Sequence, residues 1–366
     1  MAYRTNDIER IDKHVLQRYE VLHKIGKGAY GVVWKVMDKV THNIVALKKI
    51  FGAFRNATDA QRTYREITFL RQVTPHPNIV NILNVYKAVN NLDLYVIFEL
   101  LESDVHSVIR ANILQDVHKR YITYQLLVAI KYLHSRHLIH RDLKPSNLLI
   151  NSDSSVKLCD FGLARTLSEG NIGQAVLTEY VSTRWYRAPE LIIGSNNYNE
   201  GVDMWAIGCI VAELYSGRPL FPGTSTLDQM EKVVALTGPP SQSDIKSMRS
   251  DFAETMISNL TYTQPHITLH QKLPLADADT IDFIQKLLVF NPDLRMNVEQ
   301  AINHPFVAQF RNPELEALTG EPIKLSLSDN KRYMVKDYRN RLYHEVLTKL
   351  TGEPAHLPEK VPSTYH

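Results

Sequence analysis

Two short stretches carry most of the chemistry in this sequence: His140-Arg141-Asp142-Leu143-Lys144-Pro145-Ser146-Asn147 and Asp160-Phe161-Gly162. Together they bring a carboxylate base, a lysine and two hard oxygen donors into one short span. Phosphoryl transfer uses such a set, because the protein's task there is to position reactants and neutralise charge. Asp142 could accept the proton of an attacking hydroxyl, and Lys144 could neutralise charge on the group in flight. Asn147 and Asp160 offer oxygens suited to a divalent cation such as Mg²⁺. The same residues could form an ordinary polar loop between strands. The length of the match to a catalytic loop, and the ordered motifs around it, decide against that.

Those side chains need a phosphate cradle. Ile25-Gly26-Lys27-Gly28-Ala29-Tyr30-Gly31-Val32-Val33 has glycines at 26, 28 and 31, which let a backbone lie close over phosphates and adopt φ values other residues avoid. A GxGxxG alone also fits a Gly-rich turn or a dinucleotide site. A dinucleotide fold would run on into a helix, whereas Val32-Val33-Trp34-Lys35-Val36 is apolar and β-branched and predicts a strand. Val45 to Ile50 predicts another, with Lys48 alternating out of the apolar set to reach phosphates. Lysine is ordinarily a surface residue, so Lys48 needs a partner. The pattern predicts a helix over Ala60 to Val73, and Glu66 on it supplies that partner. Lys49 is expected in solvent.

Asp93 to Leu101 reads as a buried strand running into a connector. Farther on stand Ala188-Pro189-Glu190, Asp203-Met204-Trp205-Ala206-Ile207-Gly208 and Asn291-Pro292-Asp293-Leu294-Arg295. In this order the motifs resemble the eukaryotic protein kinase family over roughly Tyr19 to Phe306. The resemblance implies an α+β, bilobal fold: a small antiparallel-sheet lobe with one main helix (19–100) and a larger helical lobe (101–306) with an insert at about 239–273. An extension (1–18) would precede it. A C-terminal extension (307–350) would pack back on the lobes, before a short tail (351–366). The resemblance also implies ATP and Mg²⁺ in the cleft and a Ser/Thr hydroxyl as acceptor. Asp142, Lys144, Lys48 and Glu66 would form the catalytic set, and Asn147 and Asp160 would hold the metal. Ile25, Gly26, Gly28, Gly31, Val33, Ala46 and Lys48 would line the nucleotide site. The backbone of Glu99 and Leu101 would hold adenine, with Phe98 behind it and Asp104 at the ribose. Glu190 and Arg295 would pair, and Asp203 would brace the catalytic loop.

Thr178-Glu179-Tyr180, upstream of Thr183-Arg184-Trp185-Tyr186-Arg187, resembles the dual phosphorylation motif of the extracellular-signal-regulated branch of MAP kinases. Each phosphate adds about −1.5 to −2 charge and must find cations. Arg65, Arg141 and Arg165 match the family positions that collect phosphothreonine; Arg184 and Arg187 match those that hold phosphotyrosine. Phosphorylation would then order the loop and tie the helix of Glu66 to the catalytic loop. Val181 to Arg187 resembles a loop that accepts proline after the target residue, which implies protein substrates with Ser/Thr-Pro sites. Lys49–Thr63, Leu114–His118, Leu220–Leu227 and Asp337–Tyr343 resemble the atypical branch of the mitogen-activated protein kinase fifteen type. That implies activation by autophosphorylation and an association with centriolar or ciliary structures and protein turnover.

One departure concerns docking. Asn312-Pro313-Glu314-Leu315-Glu316 is thinly acidic, and Glu314 and Glu316 are read as a solvated helix face, which leaves docking partners open. Tyr338, Leu342 and Val346 recur at helical spacing and predict an anchoring face. A net charge of +3 is too mild to argue for nucleic acid. The two cysteines, Cys159 and Cys209, lie in apolar runs and read as reduced packing residues of a cytoplasmic, possibly nuclear, protein. Met1 to Tyr19 is polar, so no leader is expected, and no apolar run predicts a membrane span. The chain reads as a monomer. A pseudokinase scaffold would be favoured by loss of Lys48, Asp142, Asn147 or Asp160, all present. A cyclin-dependent kinase would lack Tyr180.

Overall fold

The computed structural model describes residues 9–28, 31–167, 184–195, 198–260, 267–328 and 331–347. Alternating apolar residues in the first hundred positions build an antiparallel sheet from β1 (Tyr19–Gly28), β2 (Gly31–Asp38), β3 (Ile44–Ile50), β4 (Ile82–Lys87) and β5 (Leu94–Glu99), in the order β1-β2-β3-β5-β4. Residues directly opposite one another in an antiparallel pair share a face. Val33 lies opposite Lys48, and Lys48 opposite Val96, which defines the inner face. Trp34, Leu47 and Ile97 define the outer one.

The outer face is covered by the chain's own N-terminal segment. Ile11, and Val15 of the short helix α1 (Lys13–Arg18), bury themselves against Val32, Trp34, Val36, Val45, Leu47 and Ile97. This corrects the expectation for Lys49. It lies opposite Val32 and Tyr95, hence on the outer face, yet it is only 4% exposed. Its ammonium donates to the Arg10 carbonyl at 2.8 Å, lies 3.5 Å from the Asp93 carboxylate and sits over the Tyr95 ring.

On the inner side packs α2 (Ala57–Val73). It begins three residues earlier than the apolar pattern predicts, because the Asn56 side chain accepts the Asp59 N–H at 2.9 Å and caps it.

The larger lobe is mostly helical: α3 (Val105–Ala111), α4 (Asp116–Ser135), α5 (Pro189–Ile192), α6 (Gly201–Ser216), α7 (Thr226–Thr237), α8 (Gln242–Ser247), α9 (Ala253–Ser258), α10 (Leu269–Lys272), α11 (Ala278–Leu287), α12 (Val298–Ile302) and α13 (Pro313–Glu316). Short strands β6 (Ser103–Asp104), β7 (Leu138–Ile139), β8 (Leu148–Ile150), β9 (Val156–Leu158) and β10 (Arg165–Thr166) present the site. Helix α6 is buried from Val202 through Leu214 and forms the axis of the lobe. Beside it the Glu190 carboxylate receives Arg295 at 2.8 and 3.1 Å, with both side chains out of solvent and the guanidinium over Trp205. The insert at 239–273 contains, among its described residues, three short helices. Capping boxes at Ser241 and Thr268 start two of them, while Met248, Ala253 and Ile257 reach the core.

The C-terminal extension crosses from one lobe to the other. Ile323 belongs to the large-lobe core and its N–H reaches the Arg136 carbonyl at 3.1 Å; Arg136 also donates to the carbonyls of Glu321 and of Gln72 on α2. Leu325 touches both cores. Helix α14 (Val335–Leu347) then lies on α2, with Tyr338, Leu342 and Val346 at most 2% exposed against Phe54, Tyr64, Ile67 and Val85. Residues 351–366 fall outside the described residues. Leu342→Ala should cost about 2–5 kcal/mol of stability, read from the shift in a urea unfolding midpoint at constant slope; a loss below about 1 kcal/mol would remove α14 from the core.

Candidate active site

The catalytic loop is held from beneath by Asp203 on α6. This carboxylate is fully buried and accepts the His140 N–H at 2.9 Å, the Arg141 N–H at 2.8 Å and His134 Nε2 at 3.0 Å. Burial alone would raise its pKa, but these donors, His134 foremost, hold it below the usual carboxylate value. Arg141 takes φ +66°, a left-handed conformation rare for a long side chain, and the two bonds to Asp203 fix it there. The His140 ring must carry its proton on Nε2. Nε2 faces the Cys159 carbonyl at 3.1 Å, while Nδ1 accepts the Asp142 N–H at 3.3 Å. One imidazole thus links the Asp142 loop to the strand end bearing Asp160, and Phe161 packs edge-on against it at 4.9 Å.

Asp142, Lys144 and Asn147 form one cluster. Lys144 Nζ lies 2.8 Å from Asp142 Oδ2, and Asn147 Nδ2 donates to the Asp142 carbonyl at 2.9 Å and to Oδ2 at 3.3 Å. With its nitrogen so engaged, Asn147 keeps its amide oxygen for another partner. Across the cleft, Lys48 Nζ meets Glu66 Oε1 at 2.6 Å. Burial works to lower the Lys48 pKa, and Glu66 and Asp160 outweigh it, so the ammonium is held above the usual lysine range. Asp160 lies in left-handed backbone at φ 64°, ψ 73°. Against burial, Lys48 and Lys144 hold its carboxylate ionised, below the usual value. Asn147 and Asp160 fit a divalent cation. Their donors are an amide oxygen and a carboxylate, and among the described residues no group of three His, Cys, Asp or Glu side chains is arranged to hold a metal ion. That suits Mg²⁺, which is characteristically held by one or two protein oxygens plus substrate phosphates.

The residues expected to hold the nucleotide lie on β1, β2, β3, β5, β6 and the connector. Gly31 must be glycine, since a Cβ there would collide with the Lys49 carbonyl oxygen. Gly28 has open space where a Cβ would stand, and Gly26 meets its first neighbour, Val33, at 3.9 Å. Neither is among the positive-φ glycines, so the expectation of φ values that other residues avoid is not met at either. Ile25 is the extra residue of a β-bulge between Lys24 and Gly26 and stands 45% exposed. Ala46 lies opposite Phe98, whose ring is 6.0 Å from Lys48 Nζ. Glu99 ends β5, its side chain taking the Asn81 N–H and Lys157, and Leu101 is buried in the connector. Asp104 caps α3 by accepting the Ser107 N–H and hydroxyl, both at 2.9 Å. Cys159 is partly buried, Cys209 fully, and burial pushes both thiols up.

Thr178 and Tyr180 fall outside the described residues. Among the arginines, Arg65 is buried on α2 beside Glu66, Arg165 on β10 pairs with Ile139, and Arg141 lies over the Tyr198 ring at 4.9 Å. Arg184 donates to the Thr224 carbonyl at 3.0 Å, and Arg187 closes a turn back onto Arg184. Sequence reasoning missed what fastens this segment. Trp185 Nε1 donates to the Gly223 carbonyl at 3.0 Å, and the Tyr186 hydroxyl to buried Glu213 at 2.6 Å. Burial raises the Glu213 pKa. A carboxylate in the apolar run of α6 was the available signal.

The Glu316 reading is corrected. It is 5% exposed and receives Arg311 at 2.6–2.9 Å, the Tyr124 hydroxyl at 3.1 Å and the Asn312 N–H at 3.1 Å. It fastens α13 to α4. Glu314 stays exposed.

A two-lobed fold with a lysine–glutamate pair above the cleft and an Asp–Lys–Asn cluster below it defines a protein kinase, and the family model for the protein kinase domain matches residues 19–307. Extracellular signal-regulated kinase 2 of Dictyostelium discoideum is 54% identical over 348 residues, covering 94% of each chain. Mitogen-activated protein kinase 15 of Xenopus laevis is 47% identical over 93% of this chain, and extracellular signal-regulated kinase 7 of Drosophila melanogaster 47% over 92%. The chain spans 58% and 37% of those two relatives' lengths. This chain belongs to the protein kinase family, in its mitogen-activated serine/threonine branch, and it binds ATP and acts on proteins. Among the described residues no helix is long and apolar enough to cross a membrane. Asp142→Asn should lower turnover by about 10²–10⁴-fold while leaving the Kd for ATP within about twofold; turnover near that of the unaltered enzyme would remove Asp142 as the base.

Proposed function

We propose that this protein is a proline-directed MAP kinase switched on by phosphorylation of Thr178 and Tyr180, and that it performs that phosphorylation itself. In the transfer step a substrate hydroxyl oxygen forms the new bond to phosphorus as the bond to the ADP oxygen breaks, and Asp142 takes the hydroxyl proton. Lys144, 2.8 Å from Asp142, offsets charge on the incoming phosphoryl group, while Lys48, fixed by Glu66, holds the remaining phosphates. Mg²⁺ held by Asn147 and Asp160 would polarise the phosphates and share their charge.

The brace on α2 carries the proposal of self-activation. Glu66 can hold Lys48 only while α2 lies against the sheet. Here α2 is pressed there by α14 of the same chain: the Glu345 carboxylate lies 3.4 Å from both the Tyr64 hydroxyl and Thr68 Oγ1, and Arg71 donates to the Glu345 carbonyl at 2.8 Å. A kinase with this brace built in needs no cyclin-like partner to assemble its ion pair. It can therefore turn over slowly on its own loop before that loop is phosphorylated. The fastening of residues 184–186 to Thr224, Gly223 and Glu213 supports a rigid platform for the residue after the acceptor. The preference for proline there rests on the motif.

The test is mass spectrometry of the fragment holding Thr178 and Tyr180, from protein made in bacteria, which supply no upstream MAP kinase kinase, beside Lys48→Arg. Both residues should be phosphorylated in the unaltered protein and neither in the variant. An unmodified loop in both would overturn self-activation in favour of an upstream activator.

A further inference from the structure

Strand β1 carries the glycine loop and is the edge of the sheet, hydrogen-bonded on one side to β2. It buries Tyr19 but leaves Glu20 through Ile25 exposed. An edge with so little buried surface is a low-stability element, yet Gly26 and Gly28 at its end must hold phosphates. The bulge at Ile25 changes what this strand presents. Without it, Lys24 and Lys27, three positions apart, would point to opposite faces. With the extra residue, Lys24 lies opposite Trp34 and Lys27 opposite Val32, both on the outer face.

Both lysines meet one carboxylate there. Glu9 Oε2 lies 2.8 Å from Lys24 Nζ and Glu9 Oε1 lies 2.8 Å from Lys27 Nζ. Glu9 is itself well anchored: Lys49 holds the next carbonyl, Ile11 is buried, the Tyr95 hydroxyl accepts the Asp12 N–H at 3.0 Å, and Asp12 accepts the Val89 N–H at 2.8 Å. An anchored acceptor loses less freedom when it bridges two flexible side chains. The two ammoniums lower the Glu9 pKa to about 2, so it is an anion throughout the neutral range.

We propose that Glu9 is a positioning residue for nucleotide binding, gripping Lys24 and Lys27 from behind so that Gly26 and Gly28 stand over the phosphates. The N-terminal segment is thereby a strap on the glycine loop, acting on ATP affinity and not on the transfer step.

The test uses the full chain and isothermal titration with MgADP and MgATP at low and at physiological ionic strength, for Glu9→Gln, for Lys24→Gln with Lys27→Gln, and for all three together. At low salt, Glu9→Gln should raise both dissociation constants about threefold, with kcat and the peptide KM within about twofold. The lysine pair should do the same, and Glu9→Gln should add nothing on top of it. The gap between unaltered protein and variant should narrow at the higher salt. Unchanged nucleotide affinity would overturn the proposal, as would a fall in kcat and thermal midpoint with affinity intact, which would make the strap structural. A full Glu9→Gln effect in the absence of both lysines would overturn the assigned partners.

Discussion

A carboxylate taken out of water without partners costs several kcal/mol, and Asp203 escapes that cost by accepting two backbone N–H groups and an imidazole. The constraint runs outward from there. Because the donors at His140 and Arg141 are spent on Asp203, Arg141 is fixed in left-handed backbone, and the next residue, Asp142, emerges into the cleft at one angle. Because His140 uses both ring nitrogens, the Asp142 loop and the end of β9 move as a unit. The buried axis α6 supplies the rigidity: a helix buried on every side has no solvent face to slide along.

The upper half of the site is organised on different physics. Lys48 is anchored by the buried Glu66 carboxylate, and a packed helix holds that carboxylate in place. The inner face of the sheet, α2 and α14 form three layers, and the charged pair of Lys48 and Glu66 sits at the edge of that sandwich. The lower half is held by hydrogen bonds to one point, the upper half by apolar area, so the two halves respond differently to temperature and denaturant.

The chemistry was legible in the sequence wherever it depended on residue type at fixed spacing along one element. Lys48 stood out because it broke an apolar alternation, and Glu66 because a helix pattern surrounded it. What the sequence left obscure were contacts between distant segments. Lys49 reads as a solvent residue because nothing local tells that the segment holding Ile11 and Val15 covers its face. Glu316 looked solvated in a four-residue helix, and its hydroxyl donor, Tyr124, lies 192 positions away. The bulge at Ile25 was hidden for another reason: one extra residue leaves composition unchanged and re-aims every side chain beyond it.

The path of the C-terminal extension bears on how the cleft can move. The chain passes between lobes once in the connector after Glu99 and again, on the far side, between Ile323 of one core and Leu327 of the other. A body attached to another at one point can swing in any direction. Attached at two, it resists twisting about either one. The backbone bonds between Asn78, Val80 and Leu158, and the Arg136 bond to Gln72, add to that restraint on how the small lobe can turn over the large one.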